Sequence, residues 1–157
     1  MDLAALLIVA NLAFAYSACN KEKELYLIRS GHSSDLVLDA IDPNQVKIQP
    51  FTGSSTQLWK FVRASRGGYF YIINHNTSNA LDYHYRPKKQ NKYLLRTAPF
   101  VHNSRQEYMI NKNGRLSNVN TVQNIDIVNA QFRPGTFVQL WADNGDEAQE
   151  FVLEKKT

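Results

Sequence analysis

The chain has 157 residues and a formal net charge of +4, from 18 lysines and arginines against 14 aspartates and glutamates. This length is typical of one domain with a single hydrophobic core. A positive excess of this size modestly favours polyanionic partners. It is not lopsided enough to indicate a nucleic-acid-binding protein, so we expect no nucleic-acid partner.

The N-terminal residues 1–18 differ in composition from the rest of the chain. Residues 3–15 are almost continuously apolar, and the run is too short to span a bilayer. Small residues follow at positions that signal peptidase prefers, although Asp2 is an atypical start. The pattern predicts a signal peptide over residues 1–18, a mature domain over 19–157 without a transmembrane segment, and secretion. The alternative is a short buried N-terminal segment.

The only cysteine is Cys19, just beyond the predicted cleavage site. The mature domain therefore has no internal disulfide, and a core of this size does not need one. A lone cysteine could pair with another chain or carry a lipid. We expect it instead to be unpaired or removed with the signal peptide.

Short apolar or alternating runs follow residue 20, and none sustains helical spacing over three turns. Such runs predict strands and an all-β fold. They form three similar units, each with a β-like run, an apolar residue followed by Asp, a polar loop and a second β-like run. The first runs lie at 26–28, 71–73 and 116–118, the aspartates are Asp39, Asp82 and Asp126, and the second runs lie at 46–48, 93–95 and 137–141.

Each unit ends in a glutamine, any residue and an aromatic. The pairs are Gln57 and Trp59, Gln106 and Tyr108, and Gln149 and Phe151. They recur at intervals of about 43 to 49 residues, which indicates a repeat architecture. We expect the aromatics to lie in the core around a pseudo-three-fold axis. The glutamines should satisfy buried loop backbone groups.

The third unit carries the most specific pattern. Asn124-Ile125-Asp126-Ile127 is followed by residues 135–141, Asn144-Gly145 and Gln149-Glu150-Phe151. This order and spacing resembles the ricin B-type carbohydrate-binding family, whose members are β-trefoil lectins. The resemblance extends over residues 24–155 and is weaker in the first two units. It implies a β-trefoil with three pseudo-repeats of about 40–50 residues.

A sugar site needs polar groups that bridge hydroxyls and a flat ring under the C–H face. Asp126 supplies a charged acceptor, and Trp141 supplies a large apolar ring. Gln139 lies two residues before Trp141 on a strand and therefore points to the same face. The resemblance implies that Asp126 grips hydroxyls and Trp141 stacks, while Gln139 and Asn144 border the pocket. We expect Asp126 and Trp141 to be largely exposed.

One residue of the third unit departs from the family pattern. The family usually has Asn directly before the glutamine of its Gln-x-Trp motif, and this chain has Ala148. The change removes a hydrogen bond to the sugar and to the Asp. The alternative interpretation is a decayed site in which Asp126 caps a turn and Trp141 packs.

The first two units keep the Asp. The Gln139-Leu140-Trp141 stretch of the third unit is replaced in them near residues 48–50 and 96–98, where no aromatic ring is present. We expect these units to keep the scaffold without a sugar site. The second unit also has a loop in which three tyrosines accompany four cations: Arg86, Lys88, Lys89 and Lys92. Interleaved cations and rings predict a patch for acidic glycans, and a solvated hairpin loop is the alternative.

Signals for catalysis or metal binding are thin in the sequence. Paired carboxylates for glycoside cleavage stay an open alternative, but they would need a cleft that a compact trefoil seldom supplies. The four histidines show no ligand spacing, the acidic run 143–147 lacks the order of an EF-hand loop, and we expect no cofactor. The resemblance implies a non-enzymatic lectin that binds glycans or glycoproteins, including those on cell surfaces, with galactose or N-acetylgalactosamine as the expected sugar. The alternative is a β-trefoil with lapsed sugar sites that acts as a protein-binding module or inhibitor.

Overall fold

The computed structural model of the protein describes residues 24–156. The predicted signal peptide and Cys19 lie outside the described residues, and both expectations stay predictions. Within the described part, no helix is long and apolar enough to cross a membrane.

Twelve strands and four short 3-10 helices make up the described chain. The strands are β1 (Tyr26–Ser30), β2 (Leu36–Asp42), β3 (Gln45–Pro50), β4 (Trp59–Arg63), β5 (Tyr69–Asn74), β6 (Ala80–Tyr85), β7 (Tyr93–Ala98), β8 (Glu107–Ile110), β9 (Leu116–Asn118), β10 (Gln123–Ile127), β11 (Val138–Trp141) and β12 (Phe151–Lys155). The 3-10 helices are Ser55–Gln57, Ser104–Gln106, Val128–Ala130 and Glu147–Gln149.

The strands form a β-trefoil with four strands in each repeat. Antiparallel pairings join β12 to β1, β1 to β4, β4 to β5, β5 to β8 and β8 to β9 around a barrel. The other strands form three hairpins, β2–β3, β6–β7 and β10–β11. Strand β8 pairs back with β5, so the sheet closes on itself. The prediction of an all-β trefoil is confirmed.

The three hairpins share one register, which defines equivalent positions. Each aspartate faces a residue on the second strand of its hairpin: Asp39 faces Lys47, Asp82 faces Arg96, and Asp126 faces Gln139. The hairpins also contact one another. Gln139 pairs with Leu94 of the second hairpin, so strand β11 of the third repeat lies beside strand β7 of the second.

The core contains the aromatics of the three Gln-x-aromatic motifs. Trp59 and Tyr108 are fully buried and Phe151 is nearly so, and all three belong to one hydrophobic cluster. The indole Nε1 of Trp59 donates to the carbonyl of Leu38 at 3.3 Å. The sequence did not predict that these aromatics begin or nearly begin a fourth strand in each repeat, β4, β8 and β12.

Candidate functional site

The glutamine of each Gln-x-aromatic motif holds the carboxylate of its own repeat. In every repeat the side-chain Nε2 donates to one carboxylate oxygen, and both side chains are buried. The distances are 2.9 Å from Gln57 to Asp39, 3.1 Å from Gln106 to Asp82 and 3.0 Å from Gln149 to Asp126. We call this recurring bond the Asp–Gln clamp.

The clamp also closes the loop that precedes it. Each glutamine ends a short 3-10 helix, and its Nε2 donates to a loop carbonyl at 2.9–3.0 Å. Its Oε1 accepts from a backbone N–H two residues further along the loop. These loop residues are Pro50 and Thr52, Pro99 and Val101, and Ala142 and Asn144. The glutamines thereby satisfy backbone groups that would otherwise lack partners.

In the third repeat, Asp126 is held by two amides. Gln139 Nε2 donates to Oδ1 at 2.8 Å, and Gln149 Nε2 donates to Oδ2. Only 4% of Asp126 is exposed, so the expectation of a largely exposed carboxylate is wrong. The two amides enclose it at the base of the hairpin. Burial raises the pKa of Asp126, while the hydrogen bonds from Gln139 and Gln149 act in the opposite direction.

Two asparagines orient these amides. Asn91 Nδ2 donates to Gln139 Oε1 at 2.9 Å, and Asn124 Nδ2 donates to Gln149 Oε1 at 3.0 Å. An ionised carboxylate only accepts hydrogen bonds. Because both glutamine oxygens are occupied by the asparagines, both NH₂ groups must face Asp126. Its carboxylate is therefore held in one orientation.

An open pocket of about 260 Å³ lies above Asp126, and all four predicted residues line it, namely Asp126, Gln139, Trp141 and Asn144. Trp141 is 37% exposed, so part of its ring is free to contact a ligand. The arrangement combines a fixed acceptor with an apolar ring in one shallow cavity. Such a pocket matches small polar molecules that also have an apolar face.

Other pocket residues were missed by the sequence reasoning. Gln90 and Asn91 come from the loop of the second repeat, while Asn129 and Asp146 come from the third. Asn129 and its neighbour Ala130 adopt left-handed backbone angles, with φ of 54° and 50°. Asparagine adopts this conformation more readily than most residues, whereas alanine is strained in it. Both residues line the pocket, so this part of its wall has left-handed backbone.

The sequence matches the model of a known protein family. Residues 55–141, more than half of the chain, match the family described as ricin-type beta-trefoil lectin domain-like. The chain belongs to this family. The matched stretch ends at Trp141, so it includes Asp126 and Gln139 but not the clamp residue Gln149. No curated protein sequence matches the chain.

Solved structures share the lectin-family fold at low sequence identity. A designed three-fold symmetric protein, ThreeFoil, has a TM-score of 0.73 and 19% sequence identity. The match covers 83% of this chain and 97% of the designed protein. The C-half of an earthworm R-type lectin in complex with GalNAc has a TM-score of 0.65 and 18% sequence identity. The match covers 85% of this chain and 99% of the lectin chain. An exo-β-1,3-galactanase from Clostridium thermocellum has a TM-score of 0.74 and 23% identity, covering 85% of this chain, which spans 30% of the enzyme.

The first two repeats of this lectin-family chain lack the set of groups found in the third. The shared register puts Gln49 and Ala98 at the position of Trp141, so neither hairpin offers a ring there. Lys47 and Arg96 stand at the position of Gln139. The Asp–Gln clamp is therefore present in both repeats, but without the second amide and the aromatic ring that Gln139 and Trp141 supply in the third.

An arginine neutralises the aspartate of the second repeat. Arg105 precedes Gln106 directly, at the position equivalent to Ala148, and its Nη2 lies 3.1 Å from Asp82 Oδ1. The same Nη2 donates to the carbonyl of Tyr83 at 2.6 Å, and the guanidinium lies over the Tyr83 ring. Sequence reasoning missed this pair, although Arg105 occupies the family's Asn position. In the third repeat, Ala148 leaves that space open to the pocket.

The four cations of the basic loop, residues 86–92 between β6 and β7, differ in exposure. Arg86 is half-buried and donates to the carbonyl of Asn91 at 3.0 Å, which braces the loop. Lys88, Lys89 and Lys92 are exposed.

Among residues 24–156, no group of three His, Cys, Asp or Glu side chains could hold a metal ion.

Proposed function

We propose that the protein is a secreted lectin that binds glycans through the pocket of the third repeat, without catalysis. The observation that carries this proposal is the Asp126 carboxylate, held by two amides at the base of a pocket that Trp141 borders. A carboxylate fixed in this way accepts charge-assisted hydrogen bonds from sugar hydroxyls. The indole ring supplies apolar area for the C–H face of the sugar.

Galactose or N-acetylgalactosamine is the sugar we propose for this pocket. Each offers neighbouring hydroxyls for Asp126 and an apolar C–H face for Trp141. The earthworm lectin of the same fold is in complex with GalNAc, which supports this sugar class. The galactanase contains much more chain than this protein, so the likeness gives no reason to propose hydrolysis.

A single shallow pocket predicts weak binding. We expect a dissociation constant of about 1 mM, equivalent to about 4 kcal/mol. Useful avidity would then come from clustered glycans on a glycoprotein or cell surface, or from self-association. The exposed lysines of the basic loop would add salt-sensitive attraction to acidic glycans. Secretion rests on the sequence of residues 1–18.

Titration of the protein with galactose and N-acetylgalactosamine tests the proposal. Binding is followed by tryptophan fluorescence and by amide chemical shifts. Trp141→Ala and Asp126→Asn should each weaken binding by at least about tenfold, which corresponds to about 1.4 kcal/mol. Phe51→Ala is the matched control, because Phe51 is 41% exposed, similar to Trp141, and does not line the pocket.

Two outcomes would overturn the proposal. If chemical shifts move in the first or second repeat and not around Asp126, the site is misplaced. If no sugar on a broad glycan array binds, a protein-binding or inhibitory role of a trefoil with lapsed sugar sites replaces the lectin function.

A further inference from the structure

A second pocket, of about 200 Å³, adjoins the first. Trp141 and Gln90 line both cavities, so the two share a wall. The second pocket adds Lys92 and Tyr93 from the second repeat and Gln123 from the third. It therefore lies between two repeats and next to the proposed sugar site.

The two pockets differ in charge. The lining of the first contains two carboxylates, Asp126 and Asp146, and no cation. The lining of the second contains one cation, Lys92, and no carboxylate. A ligand that fills both pockets meets hydrogen-bond acceptors in the first and a positive charge in the second. Complementarity requires donor hydroxyls at one end and an anionic group at the other.

The walls of the second pocket are held in place. Tyr93 packs edge-on against Tyr83, with ring centroids 5.4 Å apart, and stacks with Tyr85 at 5.2 Å. The carbonyl of Lys92 accepts from the N–H of Arg86 at 2.6 Å, so the backbone of Lys92 is anchored while its side chain is exposed. Lys88 and Lys89 belong to the same loop but line neither of these two pockets.

We propose that the second pocket is a subsite for an acidic group, carboxylate or sulfate, carried by the same glycan whose neutral sugar occupies the first pocket. This inference rests on the proposed function. Tyr93 and Trp141 would contact the apolar part of the acidic residue, and Lys92 would pair with its charge. The preferred ligand is then an oligosaccharide in which an acidic substituent directly neighbours a galactose-type sugar.

The experiment compares three probes in calorimetric titrations: lactose, sialylated lactose and sulfated lactose. The sialylated and sulfated forms separate a carboxylate source from a sulfate source of the charge. At least one should bind about tenfold more tightly than lactose at about 0.1 M salt, and the advantage should shrink at about 0.5 M. Lys92→Gln should abolish the advantage without changing lactose affinity, and Lys92→Arg should restore it.

Lys88→Gln and Lys89→Gln are the matched controls, because each removes one charge from the same loop outside the pocket. Equal effects of all three Lys→Gln variants would replace the subsite with a diffuse electrostatic attraction. Lactose binding with no gain from either acidic substituent would overturn the subsite and leave the proposed function intact. If none of the three probes binds, the subsite fails together with the assignment of galactose to the first pocket.

Discussion

Asn91 in the second repeat donates a hydrogen bond to Gln139 in the third, with 2.9 Å between Nδ2 and Oε1. Gln139 in turn donates to Asp126 at 2.8 Å. The orientation of the carboxylate in one repeat therefore depends on a side chain from another. The pairing of Leu94 with Gln139 brings the basic loop close enough for this contact.

Asn91→Asp should weaken sugar binding more than Asn91→Ala does. The ionised carboxylate that the first change introduces can only accept hydrogen bonds, so Gln139 would turn its NH₂ group toward it and present its oxygen to Asp126. One hydrogen bond on a buried acceptor is lost, at a cost of about 1–3 kcal/mol. Titration calorimetry with galactose measures the affinity of both variants. Equal affinities would show that Asn91 does not orient the amide.

Affinity and stability should respond to pH in opposite directions. Burial raises the folded-state pKa of Asp126 above its ordinary 3.8. The folded state then holds the proton more tightly than the unfolded state, so this stabilising contribution is present at low pH and is lost as the pH rises through the raised pKa. Ionisation meanwhile creates the stronger acceptor for sugar hydroxyls, and affinity should increase over the same range.

The measurement is thermal unfolding and galactose titration between about pH 4 and about pH 7. Asp126→Asn is the control, because the amide that replaces the carboxyl group does not titrate. The stability of the protein relative to this variant should decrease with rising pH. Parallel stability curves for the two proteins, together with a pH-independent affinity, would contradict the assignment.

Trp59→Ala should destabilise the fold strongly without a direct effect on the sugar site. Trp59 is fully buried, and emptying a buried aromatic site costs about 3–5 kcal/mol. Chemical denaturation measures the change in the free energy of unfolding. Trp141→Ala provides the comparison and should cost less, because the Trp141 side chain is partly exposed. A stable Trp59→Ala protein that no longer binds sugar would reverse the roles of the two tryptophans.

The second repeat should gain a sugar site when it receives the groups of the third. The triple change is Arg96→Gln, Ala98→Trp and Arg105→Ala, at the positions equivalent to Gln139, Trp141 and Ala148. Removing Arg105 frees Asp82, while Gln106 still holds it. We expect the binding stoichiometry measured by chemical-shift titration to rise from one to two.

The control for this experiment is Ala98→Trp alone. With Arg105 still paired to Asp82, the added ring has no free carboxylate beside it, and the stoichiometry should stay at one. A folded triple variant that still binds sugar at one site would mean that an aromatic ring, an amide and a free carboxylate are not sufficient for a sugar site. The left-handed backbone at Asn129 and Ala130 would then be the next feature to transfer.

The local parts of this architecture could be predicted from the sequence, and the contacts between repeats could not. Asp126, Gln139 and Gln149 lie in one repeat, where strand alternation and fixed spacing relate them. Asn91 is a loop residue 48 positions from Gln139, and no periodicity connects the two. Their contact depends on how the hairpins pack against each other.

The exposure of Asp126 was mispredicted for a related reason. Sequence reasoning treated the carboxylate as a free ligand group, but its two amide partners cover it almost completely. The fourth strand of each repeat was also missed, because it starts at or just before the aromatic that was taken as the end of a unit. Its short length gives little alternation to detect.

The Asp–Gln clamp closes the same loop whether or not a pocket stands above it. Selection for a stable fold alone would therefore keep both residues in a repeat that recognises nothing. In this chain the Asp and the Gln-x-aromatic motif recur with a closed loop in all three repeats, so their presence alone does not mark the repeat that has the pocket. The three repeats differ at the positions of Gln139, Trp141 and Ala148, so these are the positions to compare when ligand-binding repeats are sought.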